Sequence, residues 1–287
     1  MPDSSDLAGL RSYHADRTAL LNPGAGTSVF GLLPEPSFAC TCAELCRLAY
    51  TRFEEGDGVA LRNALQPAAL QLAGAWTNDG AQAFAVRAAD ARIFVVFRGT
   101  EADDPTDLGT DADFRLVHHA EFPGRVHAGF ARAFLSLKPQ LDERLRGVPA
   151  ANLVFTGHSL GGAMATLAAS LQPGSQLVTF GSPRVGDPAF VHGCAGVTVQ
   201  RYVDCCDIVT EVPPEALLGY AHVGPMHYID RTGKVQAAEF GEERLAEDRT
   251  RARLQYLAEY AFISGTVAVR ELADHAPANY IRAFLGD

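Results

Sequence analysis

The spacing of hydrophobic positions changes period twice along the chain. From Phe38 to about Tyr50 apolar residues recur at helical intervals, and a second helix is expected near Ala60–Ala69. Between Gly74 and Thr100 the pattern shifts to alternating and then continuous apolar runs, ending in Ile93–Phe97, around turn signals at Asn78-Asp79-Gly80 and Ala89-Asp90. A continuous run of that length suits a strand covered on both faces. A long helix is predicted from about Ala128 to Arg146. Strands at Leu153–Thr156, Gln176–Phe180 and Val197–Val203 then alternate with helices at Leu160–Leu171 and Asp187–Cys194. MHYID and GKVQ read as a closing hairpin, and the chain from about Arg249 as helical. Strands alternating with helices predict a mostly parallel central sheet flanked by helices. Residues 1–36 contain the stretch NPGAGTSVFGLLPEP and read as a coil-rich arm with one short helix.

Composition narrows this picture. The 287 residues suffice for a single α/β domain, taken here as 1–287, with ample apolar material for a core. A net charge of −10 without any basic run argues against nucleic acid or an anionic membrane surface as a partner. No window of about 18 mostly apolar residues is present, so stable membrane insertion is not expected. The first residues, MPDSSDLAGLRSYHADRTALL, lack the basic start and apolar stretch of a secretory signal, which predicts a cytoplasmic protein, or a secreted one if a signal has been removed. Six cysteines are expected as reduced, buried thiols. Cys42 and Cys46 lie one helical turn apart, but no CxxC pair or nearby histidine completes a metal set, so neither metal nor cofactor is expected.

The chemistry centres on Gly157-His158-Ser159-Leu160-Gly161, a G-x-S-x-G pattern between an apolar strand and a helix. A serine there sits on a tight elbow whose flanking residues must be small, and the helix start aims N–H groups and a positive dipole at its oxygen. A helix N-cap is the simpler use of such a serine, but capping alone does not call for glycines on both sides.

Six ordered blocks resemble the class 3 lipases: Val95–Thr100 (VVFRGT), Val126–Phe130 (VHAGF), Thr156–Leu167 (TGHSLGGAMATL), Thr179–Asp187 (TFGSPRVGD), Asp207–Pro214 (DIVTEVPP) and Asp274–Tyr280 (DHAPANY). The resemblance spans about residues 38–284 and leaves the arm 1–36 uncovered. It implies an α/β-hydrolase fold and hydrolysis of carboxylic esters by a Ser-Asp-His triad through an acyl-enzyme, without a cofactor. The implied substrate is an ester or lipid, a triacylglycerol foremost, reached by transient contact with a lipid interface; the oligomeric state is left open. A short-chain or aromatic-acyl carboxylesterase is the nearer alternative, and a non-catalytic binding protein on the same fold the more distant one.

A serine nucleophile needs a base, and the base an orienting carboxylate. Among nine histidines the resemblance favours His275 as base over His222, and the chain order Ser, Asp, His agrees. Asp207 precedes the Ile-Val pair and prolines of its block and is favoured as carboxylate over Asp204, which reads as a solvated loop residue. Asp274 adjoins His275 too closely in sequence to orient it well. Thr210 stands where the family usually has proline. The oxyanion hole is assigned to the N–H groups of Leu160 and Thr100.

The segment Glu101–Phe114, EADDPTDLGTDADF, occupies the family's lid position, with Glu101, Asp104, Leu108, Asp111 and Phe114 as representative lid candidates. Leu108 is its one large aliphatic residue, so the segment is expected to be a poor interfacial lid. The arm's apolar run Val29–Leu33 is then a candidate to lie against an acyl groove.

Overall fold

The period-2 segments pair into a seven-stranded sheet. The computed structural model describes residues 4–54, 58–99, 114–237 and 240–286. The strands are β1 (Gln71–Asn78), β2 (Ala81–Arg87), β3 (Ile93–Phe97), β4 (Leu116–His118), β5 (Arg125–His127), β6 (Leu153–His158), β7 (Gln176–Phe180), β8 (Thr198–Asp204) and β9 (Met226–Ile229). The large sheet runs in the order β1-β2-β3-β6-β7-β8-β9, and β4 and β5 form a separate two-stranded ribbon. β1, β2 and β3 pair antiparallel; from β3 to β9 every pairing is parallel.

Alternation within each strand sorts side chains to two faces. Phe84, Val86, Phe94, Val96, Val154 and Val178 pack with the helix Phe38–Leu48. Ala83, Ala85, Val95, Phe97, Phe155 and Leu177 pack beneath the helices Ala128–Leu145 and Leu160–Ser170. Every residue of β3 and β6 is buried, as their continuous apolar runs require.

The parallel register sets up the site. Phe97 lies opposite Gly157, His158 opposite Phe180, and Phe180 opposite Tyr202. The loops leaving the C-terminal ends of β3, β6, β7 and β8 therefore emerge at one edge, where open α/β sheets bind ligands.

GKVQ folds back on β9 only briefly, through the antiparallel Ile229–Val235 bridge and the bonds Asp230 N–H to Lys234 O and Gln236 N–H to Tyr228 O, while β9 itself pairs in parallel with β8. The arm is more ordered than coil, with helices Ser4–Arg11 and Arg17–Leu21, and its apolar run does not overlie a groove. Val29 and Phe30 are buried in the core on the side of the Phe38–Leu48 helix, with Leu32 and Leu33 packed against the same cluster. Arg47 holds the arm there. Its guanidinium pairs in bidentate fashion with Glu44, at 2.9 and 2.7 Å, and donates from Nη1 to the carbonyls of Pro23 and Gly24. Both charges are buried, which is tolerable because each is paired and hydrogen-bonded. Among the described residues no helix is long and apolar enough to cross a membrane.

Candidate active site

Ser159 sits at the turn between β6 and the helix Leu160–Ser170 with φ 58° and ψ −131°, a conformation that L-residues rarely adopt. Such a strained backbone costs about 1–3 kcal/mol and survives only where its surroundings impose it. The surroundings here are glycines: a Cβ on Gly157 would run into the backbone of Gly161, and one on Gly161 into the carbonyl of Phe97. The Ser159 N–H donates to the carbonyl of Phe180 at 3.0 Å, pinning the elbow to β7. The hydroxyl is buried, makes no capping bond to the helix, and has no hydrogen-bond partner among the described residues. The N-cap reading is thereby set aside.

Asp207 follows β8 and is fully buried. Its Oδ1 accepts from the Val209 N–H at 2.9 Å. His275 Nδ1 lies 3.0 Å from Oδ1 and 2.9 Å from Oδ2. A carboxylate can only accept, so Nδ1 carries the hydrogen and Nε2 of the neutral ring keeps its lone pair. Gly181, in the loop after β7, makes room for this pair: at φ +57° it packs so close that a Cβ would stand 2.7 Å from Asp207 Oδ2 and 3.0 Å from His275 Nδ1.

Three further side chains complete the site, and none was singled out from the sequence for a functional role. Tyr280 donates to Asp207 Oδ2 at 2.6 Å and accepts the Asp204 N–H at 3.1 Å. His158 lies with its ring 4.4 Å from that of His275. Its Nε2 is 2.8 Å from the His275 main-chain oxygen, which can only accept, so Nε2 is protonated and Nδ1 accepts from Tyr50 Oη at 2.8 Å. Burial, and then the nearby His275, hold His158 well below the ordinary histidine range, so it stays neutral. The sequence signal for Tyr280 was its place in the same short block as His275; for Tyr50 there was none.

The competing residues sort clearly. His222 donates from Nε2 to the carbonyl of Thr210 at 2.8 Å, and burial pushes its pKa down to about 3, with Arg201 and Arg184 adding to the effect. Thr210 hydrogen-bonds the Asp207 carbonyl at 2.8 Å, taking up the position where proline was expected. Asp204 is not a solvated loop residue. It ends β8 fully buried, with neither carboxylate oxygen partnered among the described residues; burial first, and then Asp274, raise its pKa well above the ordinary range. Asp274 faces away from His275: it accepts from Tyr13 Oη at 2.7 Å, from the Cys206 N–H at 2.9 Å and from Arg270 Nε at 3.1 Å.

Leu160 opens the helix after Ser159, where a first-turn N–H has no partner within the helix. Thr100 and the lid candidates Glu101, Asp104, Leu108 and Asp111 lie outside the described residues. Phe114 is described: its ring meets His127 edge-on at 5.9 Å and its carbonyl accepts from Tyr220 Oη. All six cysteines are free and buried. Cys46 contacts the Thr156 hydroxyl at 3.3 Å. Cys205, Cys206 and Asp274 are the one group of three potential metal ligands among the described residues, and that carboxylate is already committed to Tyr13, Cys206 and Arg270.

Residues 94–217 match the family described as lipase (class 3). Over this span the chain resembles the class 3 lipases. Curated relatives include the lipase of Rhizopus niveus, 35% identical over 153 residues, an alignment covering 48% of this chain and 38% of that protein. The secreted mono- and diacylglycerol lipase 1 of Fusarium solani is 35% identical over 115 residues, 37% of this chain and 34% of that one. The chain thus spans well under half the length of these relatives. In structure it resembles lipase II from Rhizopus niveus, with a TM-score of 0.57 and 26% identity over 68% of this chain and 82% of that one. The chain accordingly has the α/β-hydrolase fold, a mostly parallel sheet flanked by helices. The family match contains Ser159 and Asp207; His275 and Tyr280 lie beyond it.

Proposed function

We propose that the protein is a serine hydrolase of carboxylic esters, acting on acylglycerols through Ser159, His275 and Asp207. The observation that carries this reading is the Asp207–His275 pair, held at 2.9 and 3.0 Å at the sheet edge where the buried Ser159 elbow emerges. The names of relatives, lipases of Rhizopus and a mono- and diacylglycerol lipase of Fusarium, support the substrate class.

In this mechanism Ser159 Oγ attacks the ester carbonyl while His275 Nε2 takes its proton and passes it to the departing alcohol. Asp207 holds the ring in the required tautomer and stabilises its cationic form. The N–H groups of Leu160 and Thr100 receive the oxyanion. Water, deprotonated by the same imidazole, then releases the acid from the acyl-enzyme.

The test is hydrolysis of a p-nitrophenyl ester series from short to long acyl chains, run below and above the point at which a long-chain ester forms an emulsion. Ser159→Ala and His275→Ala should each lower kcat by roughly 10⁴-fold or more. A serine-directed phosphonate should label the wild type and leave Ser159→Ala unlabelled. A rate jump at the emulsion marks a lipase, and a short-chain optimum without a jump a soluble esterase. Retained activity in His275→Ala would overturn the base assignment.

A further inference from the structure

Beside the oxyanion edge lies a cleft of about 410 Å³, within the ~300–1,000 Å³ range of small-molecule sites. Its position ties it to the reaction centre. Leu160, the residue after the proposed nucleophile, and Gly99, two residues past β3, both line it. Its walls differ in character. One is apolar, built from Ala133, Leu160 and Met164 where the Ala128–Leu145 and Leu160–Ser170 helices meet. The other is polar, built from Arg52, Glu54, Gln82 and Arg98.

The polar wall is organised. Arg98 is almost fully buried; its Nη1 donates to Gln82 Oε1 at 2.5 Å and lies 3.3 Å from Glu54 Oε1. Among the described residues the acids Glu54 and Asp79 match the cations Arg52 and Arg98 around the cleft. A phosphate therefore meets no net positive field here, which an anion site needs. An acyl chain would cover these polar groups without pairing them, which is unfavourable. What the wall does offer is both donors and acceptors, and a neutral polyol needs both from each hydroxyl.

We propose that this cleft seats the alcohol half of the substrate, a neutral polyhydroxyl head group such as glycerol or a sugar. The assignment rests on the ester-hydrolase reading above. It makes Gln82 a specificity-determining residue, and it places the acyl chain on the opposite side of Ser159.

The experiment compares the octanoyl esters of ethanol, glycerol and glucose on the full chain. Wild type should show kcat/KM about tenfold higher for a polyol ester than for the ethyl ester, the gain expected from one or two added hydrogen bonds. Which polyol ester wins identifies the head group. Gln82→Leu removes a polar partner from the wall. Ala133→Phe fills the cleft from its apolar side without touching that wall, and melting temperature reports whether each variant is folded. Both should bring the polyol-to-ethyl ratio close to one while the ethyl-ester rate stays within about threefold of wild type. Equal rates for all three esters in wild type, or an unchanged ratio in a folded Ala133→Phe, overturns the subsite. Hydrolysis of none of the three, with no phosphonate labelling at Ser159, overturns the ester-hydrolase reading and the subsite with it.

Discussion

His158 Nε2–H donates to the main-chain oxygen of His275 at 2.8 Å. The residue before the proposed nucleophile thus holds the backbone of the proposed base, across 117 positions of sequence. This bond and the Asp207 contact grip His275 at two points, the carbonyl and the ring. His158→Ala should leave the Tyr50 hydroxyl buried and unpaired and free the His275 carbonyl, costing about 2–4 kcal/mol of stability. It should also lower kcat more than it raises KM. Chemical denaturation and steady-state kinetics check this; wild-type values in both would show that the bridge is incidental.

Tyr280→Phe removes the hydroxyl that donates to Asp207 and accepts from the Asp204 N–H. The change leaves two buried polar groups each short of a partner, a loss of about 1–3 kcal/mol. Activity should fall roughly tenfold, because Asp207 keeps its Val209 and His275 bonds but loses one restraint. A variant as stable and as active as wild type would remove Tyr280 from the site.

Gly181→Ala is expected to be more damaging than its size suggests. The new methyl would sit 2.7 Å from Asp207 Oδ2, and φ +57° is strained for alanine. Stability should drop by about 1–3 kcal/mol, and activity should fall with it, since the Asp207–His275 pair must move aside. A melting curve and an ester assay on the same preparation test both halves.

Stability should depend on pH through two buried groups acting in opposite directions. His222 has its pKa lowered to about 3 in the fold, against about 6.5 unfolded. The unfolded chain therefore binds the proton first, and stability is lost as pH falls from about 6.5 toward about 3. His222→Gln should flatten that decline. Asp204 is raised instead, so its contribution is present below the unfolded carboxylate range and is lost as pH rises through its folded value. Asp204→Asn should thus gain stability relative to wild type as pH increases. Melting temperatures from pH 4 to 9 should separate the two; parallel curves for wild type and both variants would contradict these assignments.

The arm is part of the core, so Phe30→Ala should cost about 3–5 kcal/mol, as for any buried aromatic side chain. Removal of residues 1–30 should prevent stable folding rather than alter chain-length preference, because it strips Val29 and Phe30 from their cluster and Tyr13 from Asp274. Circular dichroism of the truncated chain would decide.

Features that depend on neighbours in sequence were legible there. The Ser159 elbow could be seen because Gly157, Gly161 and the apolar β6 adjoin it, and β3 because its five residues are all apolar. Asp207 and His275 came from resemblance, since nothing local separates Asp207 from Asp204, three residues away in the same segment. Only the fold buries the Asp204 carboxylate with no partner among the described residues and gives the Asp207 carboxylate four contacts. His158, Tyr280 and Tyr13 act across 117, 73 and 261 positions, and no periodicity reports such a meeting. The run Val29–Leu33 was plainly apolar, but its partner, the core beside the Phe38–Leu48 helix, could not be named before the sheet was built.

The bond from Tyr13 to Asp274 also bears on synthesis. Tyr13 is made well before its partners, and its ring carries the guanidinium groups of Arg270 and Arg282, each 4.9 Å from it. None of these partners exists until more than 250 further residues have left the ribosome, a wait of about 15–50 s at 5–20 residues per second. In the later part of that interval the growing polypeptide carries Ser159, and then Asp207, but not His275. The proposed triad therefore stays without its base until the segment around Arg270 and Arg282 has been made and docks on Tyr13.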